Sequence, residues 1–337
     1  MVTKATSLGG WVLAIVRALE SYDIEPAPIC ARIGIDLEEA KDPNARFEVT
    51  KTTRLFELAS KASDDPLFGL TVGRFMRPTS WHALGFSIWA SEDLSEGLER
   101  LVRYFKIYTN SAYAGIVVTD DRLHLWTRAY PDYAKVLNDQ QYEAYMSTVV
   151  LTCRHLCPEF VQPLRVGLPR KHPLEDMSGF ERMFKCPIEL GQDCAWMDID
   201  LDTAKQRLPT ANPELALAND KICAEYIARF DRTDLMSQVY SRLIEELPKG
   251  EPEMERIAQS LNLSMRSLQR KLKEQGSSYK LLVDDVRKQL ALQYIKQSHI
   301  TIGEISYRLG FTHASNFYRA FKRWTGKTPA QWRDMSA

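Results

Sequence analysis

Arg266, Gln269, Arg270 and Lys273 recur at i, i+3, i+4 and i+7 within Leu263–Gly276 (LSMRSLQRKLKEQG). That spacing gathers them on one face of a helix. Arginine pairs bidentately with guanine and glutamine with adenine, so the chemistry open to this face is the reading of base edges in a major groove. Leu268 and Leu272, four apart, supply the opposing buried seam. Ser264 is a hydroxyl N-cap, and Gly276 stands where a left-handed C-terminal residue would. A solvated cationic face is the ordinary alternative for such a helix. Repetition separates the two.

The pattern occurs twice. Ile257, Leu261 and Leu263 are echoed by Ile305, Leu309 and Phe311 at an offset of 48, while Leu268, Arg270 and Leu272 are echoed by Phe317, Arg319 and Phe321 at 49. Gly326 closes the second copy as Gly276 closes the first. Each copy reads as a helix, a short turn and a second helix with an arginine on its polar face, the helix-turn-helix layout. In the second copy Asn316, Arg319, Lys322 and Arg323 form that face, opposite Phe317, Ala320, Phe321 and Trp324. Two such units joined by a long helix could enter successive major-groove turns without dimerisation. A repeat scaffold for protein contacts is the alternative, but two copies are too few for a solenoid.

The elements that position these residues form an all-helical tail. The spacing predicts helices over Asp234–Leu247, Glu253–Leu261, Ser264–Gln275, Tyr279–Gln297, from a capping box at Thr301 and Glu304, over about 312–325, and after Pro329. The first helix-turn-helix covers about 253–275, the linker helix 279–297 and the second unit about 302–325. The chain of 337 residues favours two domains, 1–232 and 233–337. Charge separates along the same line. Residues 251–337 hold 15 Lys+Arg against 8 Asp+Glu, an excess of seven; the remaining 29 basic and 36 acidic residues leave the front acidic by the same amount. A basic tail behind an acidic front points to a polyanionic partner.

The front region reads as α+β, helices with a small antiparallel sheet. Helices are expected over 8–22, Pro26–Ile33, 50–63, Leu67–Met76, 81–90, Leu94–Tyr108 and Asp139–Leu156, the last stopped by Pro158. Strands are expected at 114–119 and 122–128 across the turn Asp120-Asp121, and at 163–168, 187–190 and 195–199, with a helix over 173–184. Residues 201–233 read as a helical connector. No run approaches 20 apolar residues, so a membrane partner is not expected, and the N-terminus reads as an amphipathic helix of a cytoplasmic protein rather than a signal peptide.

Enzyme chemistry finds little support. Nucleophile-elbow, zincin, Walker and dinucleotide motifs are absent, and the pairs Asp64-Asp65, Asp120-Asp121 and Asp284-Asp285 diverge as neighbours must. No metal or cofactor is expected. Cys153-Arg-His155-Leu-Cys157 has ligand spacing on a helix but no second cluster to complete a site, so the six cysteines read as reduced thiols. Trp81, Trp89, Tyr104, Tyr108, Trp126 and Tyr130 are candidates to line a small-effector pocket, though rings at helical spacing are commonly core. His82 and His124 read as packing residues.

Residues 234–335 resemble the DNA-binding domain of the AraC/XylS family of bacterial transcription regulators. The resemblance rests on Leu263–Gly276, Arg287 with Ala291, Ile302–Phe311 (IGEISYRLGF) and Phe317–Arg333 (FYRAFKRWTGKTPAQWR). It implies seven helices with two helix-turn-helix units, base reading by Arg266, Gln269 and Arg270 and by Ser315, Asn316 and Arg319, and double-stranded promoter DNA as partner. At Ala314, another such position, only a thymine methyl could be met. Ser264, Lys271, Lys273, Lys322 and Arg323 are candidates for phosphate contact. Residues 1–232 resemble the subgroup with an ornithine- or virulence-regulator-like front domain, through Gly69–Arg74 (GLTVGR), Pro78, Gly85–Ser91 (GFSIWAS), Leu94–Phe105, Phe184–Leu190 and Leu208–Leu215. Better-known members carry a cupin barrel there, whereas helices dominate here. The subgroup implies sensing of an unknown small effector and homodimerisation through the front domain. RNA polymerase as a further partner, and action as an activator, are expected with it.

Overall fold

The computed structural model describes residues 5–157, 161–230, 235–274, 277–295 and 300–336. The chain divides into two compact units, Met1–Asp220 and Lys221–Ala337. The expected boundary at 232–233, Gly276, and the expected stop at Pro158 lie outside the described residues.

In the first unit β1 (Thr6–Leu8) and β2 (Arg46–Glu48) form a short antiparallel ribbon, with Ser7 opposite Phe47. Between them run α1 (Gly10–Glu20), α2 (Pro26–Ala31) and α3 (Leu37–Ala40), followed by α4 (Val49–Ser63) and α5 (Phe68–Phe75). A 3₁₀ turn at Pro78–Trp81 precedes α6 (Ala83–Trp89), α7 (Leu94–Arg103) and α8 (Phe105–Tyr108). The hairpin β3 (Ala112–Val118) and β4 (Arg122–Ala129) leads to α9 (Asp139–Leu156), β5 (Arg165–Gly167), α10 (Ser178–Phe184), β6 (Ile188–Glu189) and β7 (Ala195–Asp200). Then come α11 (Leu201–Ala204) and α12 (Pro213–Phe230). Within the expected helical connector, α12 starts at Pro213, which suits a first helical position, and Asn212 Oδ1 accepts from Leu215 N at 3.1 Å.

The main sheet has the order β3-β4-β7-β5-β6. All five strands were expected, but β5 and β6 run parallel. The sheet is mixed rather than antiparallel because α10 carries the chain back between them, as a parallel pair requires. The β4 alternation is clear: Leu123, Leu125 and Thr127 are buried while His124 and Trp126 face the other side. The helical core gathers Ile15, Leu19, Leu55 and Phe68, all fully buried. Close contact of α5 with α9 depends on two glycines: a Cβ on Gly69 would stand 2.3 Å from Gln140 O, and one on Gly73 would stand 2.1 Å from Ser147 Oγ.

Two expected helices are divided. Residues 94–108 break at Tyr104 (φ −102°, ψ 22°), and 81–90 becomes helical only after His82, whose φ is 55°.

The second unit contains, after α12, α13 (Leu235–Glu246), α14 (Met254–Ser260), α15 (Met265–Glu274), α16 (Tyr279–Ile295), α17 (Ile302–Arg308), α18 (Ala314–Thr325) and α19 (Pro329–Ser336). Val239, Leu243, Leu290, Ala291, Ile305 and Phe321 are among its buried residues.

Candidate nucleic-acid interface

The two helix pairs α14–α15 and α17–α18 share one turn. Asn262 N donates to Gln259 O at 2.9 Å and Leu263 N to Ala258 O at 2.9 Å; 48 residues on, Gly310 N donates to Tyr307 O at 2.8 Å and Phe311 N to Ser306 O at 3.1 Å. Both pivots are left-handed, Asn262 with φ 55° and Gly310 with φ 67°. Asparagine and glycine are the residues that tolerate this region best. The sequence echo is therefore an echo of backbone geometry.

In α15 Leu268 and Leu272 are fully buried, while Arg266, Gln269, Arg270, Lys271 and Lys273 are exposed. The amphipathic split follows from their spacing, and each buried leucine contributes about 2 kcal/mol. Ser264 Oγ accepts from Ser267 N at 3.2 Å, the expected cap. Arg270 Nη1 meets Glu274 Oε1 at 2.7 Å, but both are more than half exposed. Such a pair is worth only a few tenths of a kcal/mol, so the guanidinium is readily released to an anion.

In α18 Phe317 and Phe321 are fully buried and Ala320 nearly so. Ala314, Ser315, Asn316, Arg319, Lys322 and Arg323 are exposed on the other side. Arg319 Nη2 donates to Asn316 Oδ1 at 2.7 Å, presenting the two as one joined polar group. Arg323 instead reaches Asp284 Oδ2 on the linker helix at 2.9 Å. Trp324 is half-buried rather than buried, 6.3 Å from the Phe311 ring. Gly326 closes the helix at φ 76°. The capping box at Thr301 is only half made: Thr301 Oγ1 accepts from Glu304 N at 3.1 Å, while Glu304 turns to Arg308 at 2.6 Å.

Arg287, noted in the sequence only for its resemblance, proves to be a positioning residue. From α16 its Nε donates to Leu309 O and its Nη2 to Gly310 O, each at 2.9 Å. Burial, the largest influence, lowers its pKa, against the pull of Glu251. The available signal was a charge on an apolar seam with Val283 and Ala291. Arg333 of α19 similarly donates to Ile295 O at 2.9 Å and Ile300 O at 2.8 Å, holding the end of the linker helix beside the second pair.

The six aromatic candidates of the first unit do not meet in one place. Trp81 and Trp89 line a cleft with Arg74, Arg77 and His155, whereas Tyr108 lines a separate cavity with Trp11, Phe105 and Tyr145. Tyr104 is buried. Trp126 packs edge-on to Tyr113 at 5.5 Å, and Tyr130, 38 % exposed, packs on the same ring. His124 belongs to a polar cluster rather than an apolar core: its Nδ1 lies 2.6 Å from Asp198 Oδ1, and Arg165 Nη2 donates to Asp198 Oδ2 at 2.8 Å. Burial pushes the Asp198 carboxyl up, but these two partners hold it below its usual value. His82 is half-buried at a backbone corner. Cys153 and Cys157 are free and buried, and burial raises both thiols, whereas His155 is exposed. No helix among the described residues is long and apolar enough to cross a membrane.

Twin helix-turn-helix units with exposed Arg/Gln and Arg/Asn faces define a DNA-binding protein. A model of the arabinose-binding domain of AraC transcription regulators matches residues 24–208, and a helix-turn-helix domain model matches 257–335. The chain belongs to the AraC family of transcription regulators. It is 27 % identical to the ornithine utilization regulator of Pseudomonas aeruginosa over 322 residues, covering 95 % of this chain and 94 % of that one. It is 25 % identical to the transcriptional regulator VirS of Mycobacterium tuberculosis over 339 residues, covering 98 % and 96 %. A shorter match, 30 % over 122 residues, joins 36 % of the chain to 41 % of the urease operon transcriptional activator of Escherichia coli. The protein is a DNA-binding transcription regulator, not an enzyme.

Proposed function

We propose that the regulator sets α15 and α18 into successive major-groove turns of a promoter. Arg266, Gln269 and Arg270 read bases through α15, and Ser315, Asn316 and Arg319 through α18. The shared turn at Asn262 and Gly310 carries this reading, since it gives both helix pairs one local geometry with the polar face outward. Ala314 offers no hydrogen bond, so α15 supplies the larger part of the specificity. Ser264, Lys271, Lys273, Lys322 and Arg323 hold phosphates, Arg323 after leaving Asp284.

The first unit senses a small effector and joins a second copy, and the bound complex recruits RNA polymerase as an activator in the bacterial cytoplasm, on the nucleoid. The family match over 24–208 supports effector control. Anisotropy titration of the full chain on promoter fragments between 50 and 200 mM salt tests the DNA reading. Counterion release predicts affinity that falls steeply with salt; a flat response contradicts it. A metabolite panel that raises the melting temperature would support the effector role.

A further inference from the structure

The cleft bounded by α5, the Pro78–Trp81 turn, α6 and α9 combines a broad apolar wall with an unbalanced positive rim. It encloses about 1100 Å³ including its open mouth. Trp81, Ile88, Trp89 and Leu151 line it, and Arg74, Arg77 and His155 supply its ionisable groups; among the described residues no Asp or Glu lines it. Arg77 is held there by backbone, its Nη1 donating to Arg74 O at 2.7 Å and Met76 O at 3.0 Å. Among the described residues, the side chains of Arg74 and His155 make no hydrogen bond or ion pair.

The corner carrying this wall is built under constraint. His82 adopts φ 55° and ψ −145°, a region that strains any residue other than glycine. A Cβ on Gly85 would stand 1.9 Å from Pro78 O, so only glycine lets α6 approach the turn this closely.

We propose that this cleft is the effector site and that the effector is a small organic carboxylate on an apolar body. The proposal rests on reading the first unit as a sensor. Two guanidiniums that form no ion pair among the described residues, Arg74 acting only on the Tyr22 hydroxyl nearby, suit an anion, which they bind through charge-assisted hydrogen bonds. The indoles of Trp81 and Trp89 offer flat apolar surface for the remainder of the molecule. The separate cavity at Tyr108 and Tyr145, about 520 Å³ including open space, is lined by rings and by hydroxyls such as Ser7, Thr52 and Ser111, with no charged side chain among the described residues. It suits a neutral ligand, so charge discriminates between the two sites.

The test is a fluorescence and thermal-shift titration of the full chain with octanoate and 3-phenylpropanoate, beside their neutral twins octanol and 3-phenylpropanol. At least one carboxylate is expected to saturate, with its neutral twin at least tenfold weaker, and the better carboxylate reports whether the body is alkyl or aromatic. Arg74→Ala/Arg77→Ala should weaken carboxylate binding at least tenfold, with partial recovery in Arg74→Lys/Arg77→Lys. Unliganded melting temperature and promoter binding serve as controls for folding. Equal binding of a carboxylate and its twin, or wild-type affinity in the alanine pair, overturns the assignment. If neutral compounds alone bind, the sensor reading stands and this site falls; if neither the probes nor a metabolite panel binds, both fall.

Discussion

The guanidinium of Arg287 lies over the ring of Phe311, its carbon 4.3 Å from the ring centroid. With the bonds to Leu309 O and Gly310 O, this contact fixes the turn of the second helix pair to the linker helix. Arg287→Ala should cost on the order of 2–3 kcal/mol and weaken promoter binding. Lysine, lacking the planar fork, should restore little. Chemical denaturation of the full chain measures the loss, and an unchanged second-unit transition would remove Arg287 from its positioning role.

The two pivots should respond differently to alanine. At Asn262 the change forces an alanine into left-handed backbone, costing about 1 kcal/mol. At Gly310 the added Cβ also meets Gly250 O at 2.5 Å, so the loss should be larger. Melting temperatures of Asn262→Ala and Gly310→Ala give the comparison; an equal loss would mean that the close approach to Gly250 is easily relieved.

Within the first unit a buried ionic cluster fastens α12 near its middle, at Asp220. Arg100 Nε lies 3.1 Å from Asp220 Oδ2, Arg100 Nη1 lies 3.0 Å from Glu96 Oε2, and Ser87 donates to Asp220. Burial works to lower the Arg100 pKa, but Asp220 and Glu96 raise it on balance. Asp220→Ala leaves a buried guanidinium short of its main counter-charge and should cost about 3–5 kcal/mol. A loss below 1 kcal/mol would show that solvent reaches the cluster.

Glu143 gives a pH dependence of the opposite sign to most carboxylates. Burial raises its pKa to about 7, outweighing the pull of Arg170, whose Nε lies 2.6 Å away. The folded chain thus holds this proton more tightly than the unfolded chain, and its contribution is full below the ordinary value of 4.5 and lost as pH rises through about 7. The change is on the order of 3 kcal/mol. Urea denaturation from pH 4.5 to 8 should show a fall in the first-unit transition that Glu143→Gln flattens. Identical profiles would return Glu143 to an ordinary ion pair.

What could be read from the sequence depended on how local the causes were. The faces of α15 and α18 follow from helical period alone, and the displaced repeat of Ile257–Leu272 at Ile305–Phe321 turned a common pattern into a specific one. Alternation around Leu123 and Leu125 marked the hairpin. The ribbon of β1 and β2 was missed because three-residue strands carry almost no alternation and pair across forty residues. The parallel run of β5 and β6 likewise depends on a crossover that periodicity does not record. Composition placed aromatics in the front domain, but not their directions, so Trp81 and Trp89 were grouped with Tyr104 and Trp126. The sequence offers His155 only beside Cys153 and Cys157 and Arg74 only within Gly69–Arg74, with nothing that joins them to Arg77; two arginines three apart beside Pro78 are the available clue.

The proposed reading has two helices of one chain, α15 and α18, on one promoter. A footprint of the full chain on its promoter, repeated with Arg266→Ala and Arg319→Ala, tests it most directly. Two protected major-groove patches about one helical turn apart are expected, each variant losing one patch and Arg266→Ala losing more affinity. A single patch, or unchanged protection in both variants, would contradict it.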